Sequence, residues 1–387
     1  MICLRRNIGA LSLKLSICQS HWVEIFTKAK SKGTTLSTLL PKPFSNFTTV
    51  NIKNPYRTQK LFSSAHRQLV GQRRAVSIRL RKKLNIREIM CEKEDWMTID
   101  NFRVYPWSIS GLDTSVVVKT DNLSVAFDMG YPTRESTKCQ HVFISHGHVD
   151  HISGVVQHAA RRELYSMKKS VYHMLPHLIP GVKLVAQGIT QMHENMDSLN
   201  HLNLHPVDIG ETVQLPNNWI AKTFPTKHRV KSQGYILYKQ IKKLKDEFMG
   251  LPGKEIAQLA RDGCEVSSVQ EEPMVAYTGD TTFDIYSEPF NPDLLKVKLL
   301  ITEATYIDED FDSQGRNNIQ KARDRGHTHL REFVDNLWLF RDVQNILFIH
   351  FSDKYSVDYI HETADRLLPP TLRRKVHIAT LAKEKFT

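Results

Sequence analysis

The sequence predicts an α+β fold: two β-sheets packed between layers of helix, with one projecting arm. Three observations carry this. From Trp96 onward, short apolar runs separated by Gly, Pro and Asn alternate with amphipathic helical segments in two batches. Five of those runs end at a side chain able to hold a metal or a proton, namely His146, His228, Asp280, Glu303 and His350. Residues 239–272 interrupt the second batch with a stretch too poor in apolar residues to be core.

Composition narrows the class. At 387 residues the chain can bury a substantial core as one large domain or two small ones. No apolar stretch approaches the length of a membrane span, so no membrane partner is expected. The five cysteines are scattered without a C-x-x-C pair, which argues against a disulfide framework and a thiolate metal site. The net charge of +12 is unevenly placed. Residues 1–90 hold 18 Lys and Arg against Glu24 and Glu88, leaving 35 basic and 39 acidic residues for 91–387. Any RNA contact must therefore come from local patches. The 1–90 leader is rich in Arg, Lys, Ser and Thr, and Met1 to Ser16 mixes Leu4, Ile8, Leu11, Leu13 and Leu15 with Arg5, Arg6 and Lys14. That is the composition of an organellar transit peptide, mitochondrial or chloroplast, and otherwise of a basic disordered tail. Translation from Met90 or Met97 would leave a leaderless cytosolic or nuclear form.

The body, 96–387, is organised around Ser145-His146-Gly147-His148-Val149-Asp150-His151. This turn follows the apolar run His141-Val142-Phe143-Ile144, read as a strand, and precedes a helix with Ile152, Val155, Val156 and Ala159 at helical spacing. Three imidazoles and a carboxylate at a strand end suit zinc, which takes nitrogen and oxygen ligands. Upstream, Val116-Val117-Val118 and Leu123 to Phe127 read as paired strands around Thr120-Asp121-Asn122. The second ends at Asp128, placed to orient a ligand imidazole from behind. His173, His177, His193, His201 and His205 lack ligand spacing and read as structural or surface residues. Ile220 to Phe224 is a strand leading to His228.

Residues 239–272 read as two short basic helices joined at Leu251-Pro252-Gly253. Ile241, Leu244 and Phe248 form a narrow seam amid Lys239, Lys242, Lys243 and Lys245. Strands then lead to Asp280, Glu303 and His350. Gly326-His327-Thr328-His329 opens a helix buried through Leu330, Phe333, Val334 and Leu337, and Val357 to Leu368 is a last amphipathic helix.

Seven groups thus compete for metal: His146, His148, Asp150, His151, His228, Asp280 and His350. They are too many for one tetrahedral zinc but suit two ions sharing Asp280. His146, His148 and His228 would hold one ion, and Asp150, His151 and His350 the other. Such a pair lowers the pKa of a shared water and neutralises an oxyanion. Asp150 would accept the water's proton, and His327, fixed by Glu303, would protonate a departing oxygen.

These motifs resemble the metallo-β-lactamase superfamily and, within it, the short form of the tRNase Z (ribonuclease Z) family in its eukaryotic type. The resemblance runs from about Asn101 to the C-terminus. It rests on Ser145 to Gly154, His228 with Gly234-Tyr235, Ala276 to Thr282, Thr302-Glu303-Ala304-Thr305, Gly326 to His329, and Ile349-His350-Phe351-Ser352 with Tyr355. It implies an αβ/βα four-layer sandwich and two zinc ions per subunit. It also implies cleavage of precursor tRNA after the discriminator base, leaving a 3′-hydroxyl for CCA addition, and a homodimer. Residues 239–272 lie where that family carries a flexible arm that grips tRNA. Lys239, Lys242, Lys243 and Lys245 would then meet phosphates far from the cut, and Lys227, Arg229 and Lys231 near it.

Two rivals remain open. A small-molecule metallo-hydrolase of the same fold (a phosphodiesterase, thioesterase or lactonase) would share the ligands but need neither the arm nor the Glu303/His327 pair. A non-catalytic RNA-binding homologue would have no use for intact ligands.

Overall fold

A computed structural model describes residues 95–193, 202–309, 311, 315 and 317–386. The leader and His201 lie outside them.

Alternation along the strands sets the layering. Val117 points one way and its neighbours Val116 and Val118 the other, so each side of the first sheet acquires its own apolar surface. That sheet contains β1 (Met97–Ile99), β2 (Phe102–Ile109), β3 (Asp113–Lys119), β4 (Ser124–Phe127), β5 (His141–Phe143), β6 (Val171–Met174) and β7 (Asn203–Pro206), in that spatial order. The second runs from β8 (Thr212–Leu215) through β9 (Trp219–Thr226), β10 (Ser232–Leu244), β11 (Ser267–Tyr277), β12 (Leu299–Glu303) and β13 (Asn345–Ile349) to β14 (Val376–Ile378). Both sheets follow one plan, with an antiparallel half followed by a parallel half.

Parallel neighbours need crossovers, and helices supply them on the outer faces. Val142, Ile144 and Tyr172 pack beneath Val155 and Ala159 of α2 (Val155–Leu164) and Val182 of α3 (Ile179–Met192). Between the sheets, Val116, Val118, Phe127 and Phe143 meet Tyr235, Val275, Ile301 and Leu347. Beyond the second sheet, Ile236, Ala276, Leu300 and Ile346 meet Leu330 and Phe333 of α5 (Leu330–Asp335) and Ile360 of α6 (Val357–Leu367). Helix, sheet, sheet and helix make the four-layer sandwich expected from the sequence. Strands β4 and β5 are parallel, as are β11, β12 and β13, and β9 runs with them because two antiparallel pairings separate it from β11. The C-terminal ends of β9, β11, β12 and β13 therefore share one edge of their sheet.

Three segments differ from expectation: the helix after His329 ends at Asp335 and leaves Leu337 exposed instead of on its buried face, and two others depart further. The helix after the histidine turn is split into α1 (Val149–Ile152) and α2. At Gly154 a Cβ would lie 2.9 Å from the carbonyl oxygens of Met129 and Gly130, so the chain bends to let the β4 loop pass. The first limb of 239–272 is strand, not helix. β10 pairs with β11 as far as Leu244 and Ser267, past a bulge between Leu237 and Tyr238. Only α4 (Gly253–Arg261) at the tip is helical, beside a short 3₁₀ turn over Asp246–Phe248. The spacing of Ile241, Leu244 and Phe248 fits a helix, but extending an existing hydrogen-bond ladder satisfies each peptide group without a new nucleus. The arm is not basic either: 239–272 hold seven Asp and Glu against six Lys and Arg.

Candidate metal centre

Every predicted ligand follows a strand end at the same edge. β5 runs into Ser145–His148 and then α1, whose first turn carries Asp150 and His151. β9, β11 and β13 deliver His228, Asp280 and His350, while β12 ends on Glu303 itself. His350 and Asp128 take left-handed backbone conformations, φ 61° and 57°. Non-glycine residues rarely accept that strain, and it is typical of turns held for function.

The structure brings all seven groups together. Around one centre, His146 Nε2 lies 3.0 Å and His228 Nε2 3.1 Å from His148 Nδ1. Around the other, His151 Nε2 and His350 Nε2 are 3.2 Å apart, each 3.4 Å from Asp150 Oδ2. Asp280 stands between them. Its Oδ2 is 3.9 Å from His146 and 4.0 Å from His228, and its Oδ1 is 3.4 Å from both His151 and His350.

Proton positions follow from the partners behind each ring. His151 donates its Nδ1–H to Asp128 Oδ2 (2.7 Å), and His228 donates to the Gly326 carbonyl (2.7 Å). His350 donates to Thr305 Oγ1 (3.0 Å) and His146 to Ser145 Oγ (2.9 Å). Each therefore presents a bare lone pair at Nε2. Two lone pairs facing across 3.2 Å, as in His151 and His350, repel unless a cation lies between them. The donor set thus fits a pair of borderline divalent cations sharing one carboxylate.

Asp128 is fully buried and accepts Ser145 N–H (2.7 Å), Ser145 Oγ–H (2.8 Å) and Tyr277 O–H (2.5 Å) besides His151. Glu303, also fully buried, accepts Thr281 N–H (2.6 Å), Thr328 N–H (3.2 Å) and the Thr305 hydroxyl. His327 Nδ1 sits 3.1 Å from the same carboxylate. Burial would depress the His327 imidazole, but Glu303 and then Asp280 outweigh it and lift the ring to about 9. Burial alone would raise Asp280, yet His151 and His350, when protonated rather than facing a cation, hold it well below the usual carboxylate range. Asp150 is likewise held low against burial by His151 and His350, and Gly111 N–H caps its Oδ2 at 2.8 Å.

Sequence reasoning missed Ser145, Tyr277, Thr305, Gly111 and Gly326. Hydroxyls and backbone groups have no spacing signature, although Ser145 and Thr305 each lie within two residues of a named site residue. Among the other histidines, His173 is buried in a row with His141 (3.1 Å) and His205 (3.2 Å) across β5, β6 and β7, away from the ligand cluster.

No protein-family model matches the chain. It is 36% identical over 292 residues to tRNase Z TRZ1 of Arabidopsis thaliana, covering 75% of this chain and 99% of that one. The chain belongs to the tRNase Z family. The chloroplastic tRNase Z TRZ2 of Arabidopsis thaliana is 32% identical over 270 residues, 70% of this chain and 73% of its own. The short form of human tRNase Z superposes over 71% of this chain and 94% of its own at 15% identity, with a TM-score of 0.44, and adds nothing to the assignment.

Within the tRNase Z framework, the cations expected to meet RNA divide into free and engaged. Lys242 and Lys243 are exposed on the arm. Lys239 is half-buried, donating to the Asn217 carbonyl (2.7 Å) and lying over the Trp219 ring. Lys245 pairs with Glu265 at 3.6 Å, Lys231 with Asp208 at 3.2 Å, and Lys227 with Asp284. Arg229 is exposed beside His228. Of the arm lysines, Lys239 is the one whose ammonium is held at the base of the arm by a backbone carbonyl and an indole ring.

Proposed function

We propose that the chain is a zinc-dependent endoribonuclease that cuts precursor tRNA after the discriminator base, removing the 3′ trailer and leaving a 3′-hydroxyl. The observation that carries this reading is Asp280, with one oxygen toward each histidine cluster and His327 Nδ1 3.9 Å away. Two bound cations would activate a water and neutralise charge on the phosphate. The chain's own groups do the rest. Asp150, ionised and buried, takes the proton of the attacking water as its oxygen bonds to phosphorus. The P–O3′ bond breaks, the phosphate stays with the trailer, and protonated His327 gives its proton to the departing O3′. Glu303 keeps that ring charged and pins its orientation.

The Glu303/His327 pair favours this over a small-molecule hydrolase of the same fold, since a poor alkoxide leaving group needs an acid. Incubating the full chain with precursor tRNA, with and without a chelator, tests it: the expected result is one cut at the discriminator base, lost on chelation and restored by zinc. Cleavage that survives full metal removal would overturn the reading.

The arm is the proposed tRNA grip, acting through Lys242 and Lys243. Removing 240–270, within the paired limbs of β10 and β11, is expected to abolish tRNA cleavage while sparing hydrolysis of bis(p-nitrophenyl) phosphate. Equal loss of both activities, or survival of both, would contradict a role confined to tRNA. A homodimer is supported by α3, which leaves Leu184, Val185 and Met192 exposed. The leader's composition and a chloroplastic relative support an organellar destination, mitochondrion or chloroplast.

A further inference from the structure

We infer that Ser145 and Thr305 are paired positioning residues, each setting the affinity of a different half of the metal centre, so that the two cations can be loosened separately. The inference rests on the two-cation reading above.

The argument begins with one hydrogen. A hydroxyl has a single proton to give and lone pairs to receive. Thr305 Oγ1 donates its proton to Glu303 Oε2, so toward His350 Nδ1, 3.0 Å away, it can only accept. That forces the Nδ1–H tautomer on His350 and turns its Nε2 lone pair to the cluster with Asp150 and His151. Ser145 repeats the arrangement on the other side. Its Oγ donates to Asp128 Oδ2 (2.8 Å) and accepts from His146 Nδ1 (2.9 Å), turning His146 Nε2 toward His148 and His228.

Two fully buried carboxylates thus reach two ligand histidines through two hydroxyls. Both hydroxyls belong to fully buried residues. The carboxylates differ in what else they hold. Asp128 also receives His151 directly, whereas Glu303 receives His327 and the amides of Thr281 and Thr328. Glu303 thereby joins a ligand, the Asp280 loop and the proton donor, with Thr305 as its path to His350. Without the Thr305 hydroxyl, His350 can tautomerise or rotate, and its cation loses a preoriented ligand. Partners behind a ligand are typically worth about 10–100-fold in metal affinity.

The test is zinc titration of the metal-free full chain by calorimetry, which reads binding without reference to catalysis. Wild type is expected to take two ions. Thr305→Val should weaken one of them by about 10–100-fold, Thr305→Ser should restore it, and Ser145→Ala should weaken the other. To assign the sites, each change is repeated on His148→Ala, which cripples the His146/His148/His228 cluster. There Thr305→Val should weaken the remaining ion and Ser145→Ala should not. Melting of the metal-free proteins controls for folding, and Thr305→Ala serves if the valine variant does not fold. Unchanged affinities in Thr305→Val, or equal weakening of both ions by either change, would overturn the inference. A wild type that binds fewer than two ions would instead refute the two-cation reading.

Discussion

Asp280→Ala is expected to reduce cleavage of precursor tRNA by about a thousand-fold or more, because loss of one carboxylate unhooks both clusters and forfeits several kcal/mol of charge stabilisation. Both Asp280 oxygens are in use, Oδ1 between His151 and His350, and Oδ2 between His146 and His228. Removal also leaves five histidines facing one another with less anionic charge among them, so the variant should retain less than two ions per chain. Rate assays paired with elemental analysis of the purified protein check this. A variant that keeps both metals and near-normal cleavage would mean that Asp280 does not bridge.

His327→Ala carries the second large effect and separates the proposed proton donor from the proposed metal ligands. Loss of a general acid typically costs about 100- to 10,000-fold when the leaving group is poor. The departing ribose oxygen is such a group. The p-nitrophenolate of bis(p-nitrophenyl) phosphate leaves without help, so the same variant should hydrolyse that ester at close to the wild-type rate. Metal content should stay unchanged, since His228 and His350 keep their own partners at Gly326 and Thr305. Equal loss on both substrates would move His327 from proton donor to ligand or scaffold.

How much of this was readable from the residues depends on where each signal is stored. Apolar runs ending in His, Asp or Glu carry strand and end residue in one local pattern, which is why His146, His228, Asp280, Glu303 and His350 could be placed just past or at strand ends. The duplicated plan of the two sheets follows from their alternating batches of strand and helix. The arm's first limb misled because Ile241 and Leu244 suit a helix locally, while their partners Gln270 and Ser267 lie some 25 residues away along the chain. The partners of Lys239 were hidden for a related reason: the Asn217 carbonyl and Trp219 ring that hold it become neighbours only once β9 and β10 pair. Ser145 and Thr305 escaped because a hydroxyl's use depends on tertiary neighbours alone.

The unbroken ladder from β10 and β11 into the arm has a consequence for where the phosphodiester is cut. Seven residues of paired ribbon beyond the bulge, Tyr238 to Leu244, span roughly 20 Å at the usual rise per strand residue. A tethered pair of helices would swing, whereas a two-stranded ribbon keeps its tip at a set reach. On the proposed tRNA grip, the tip and the metal-site edge would act as the two marks of a ruler, and substrates whose acceptor stem is lengthened or shortened by a base pair should be cut at a displaced phosphate or not at all.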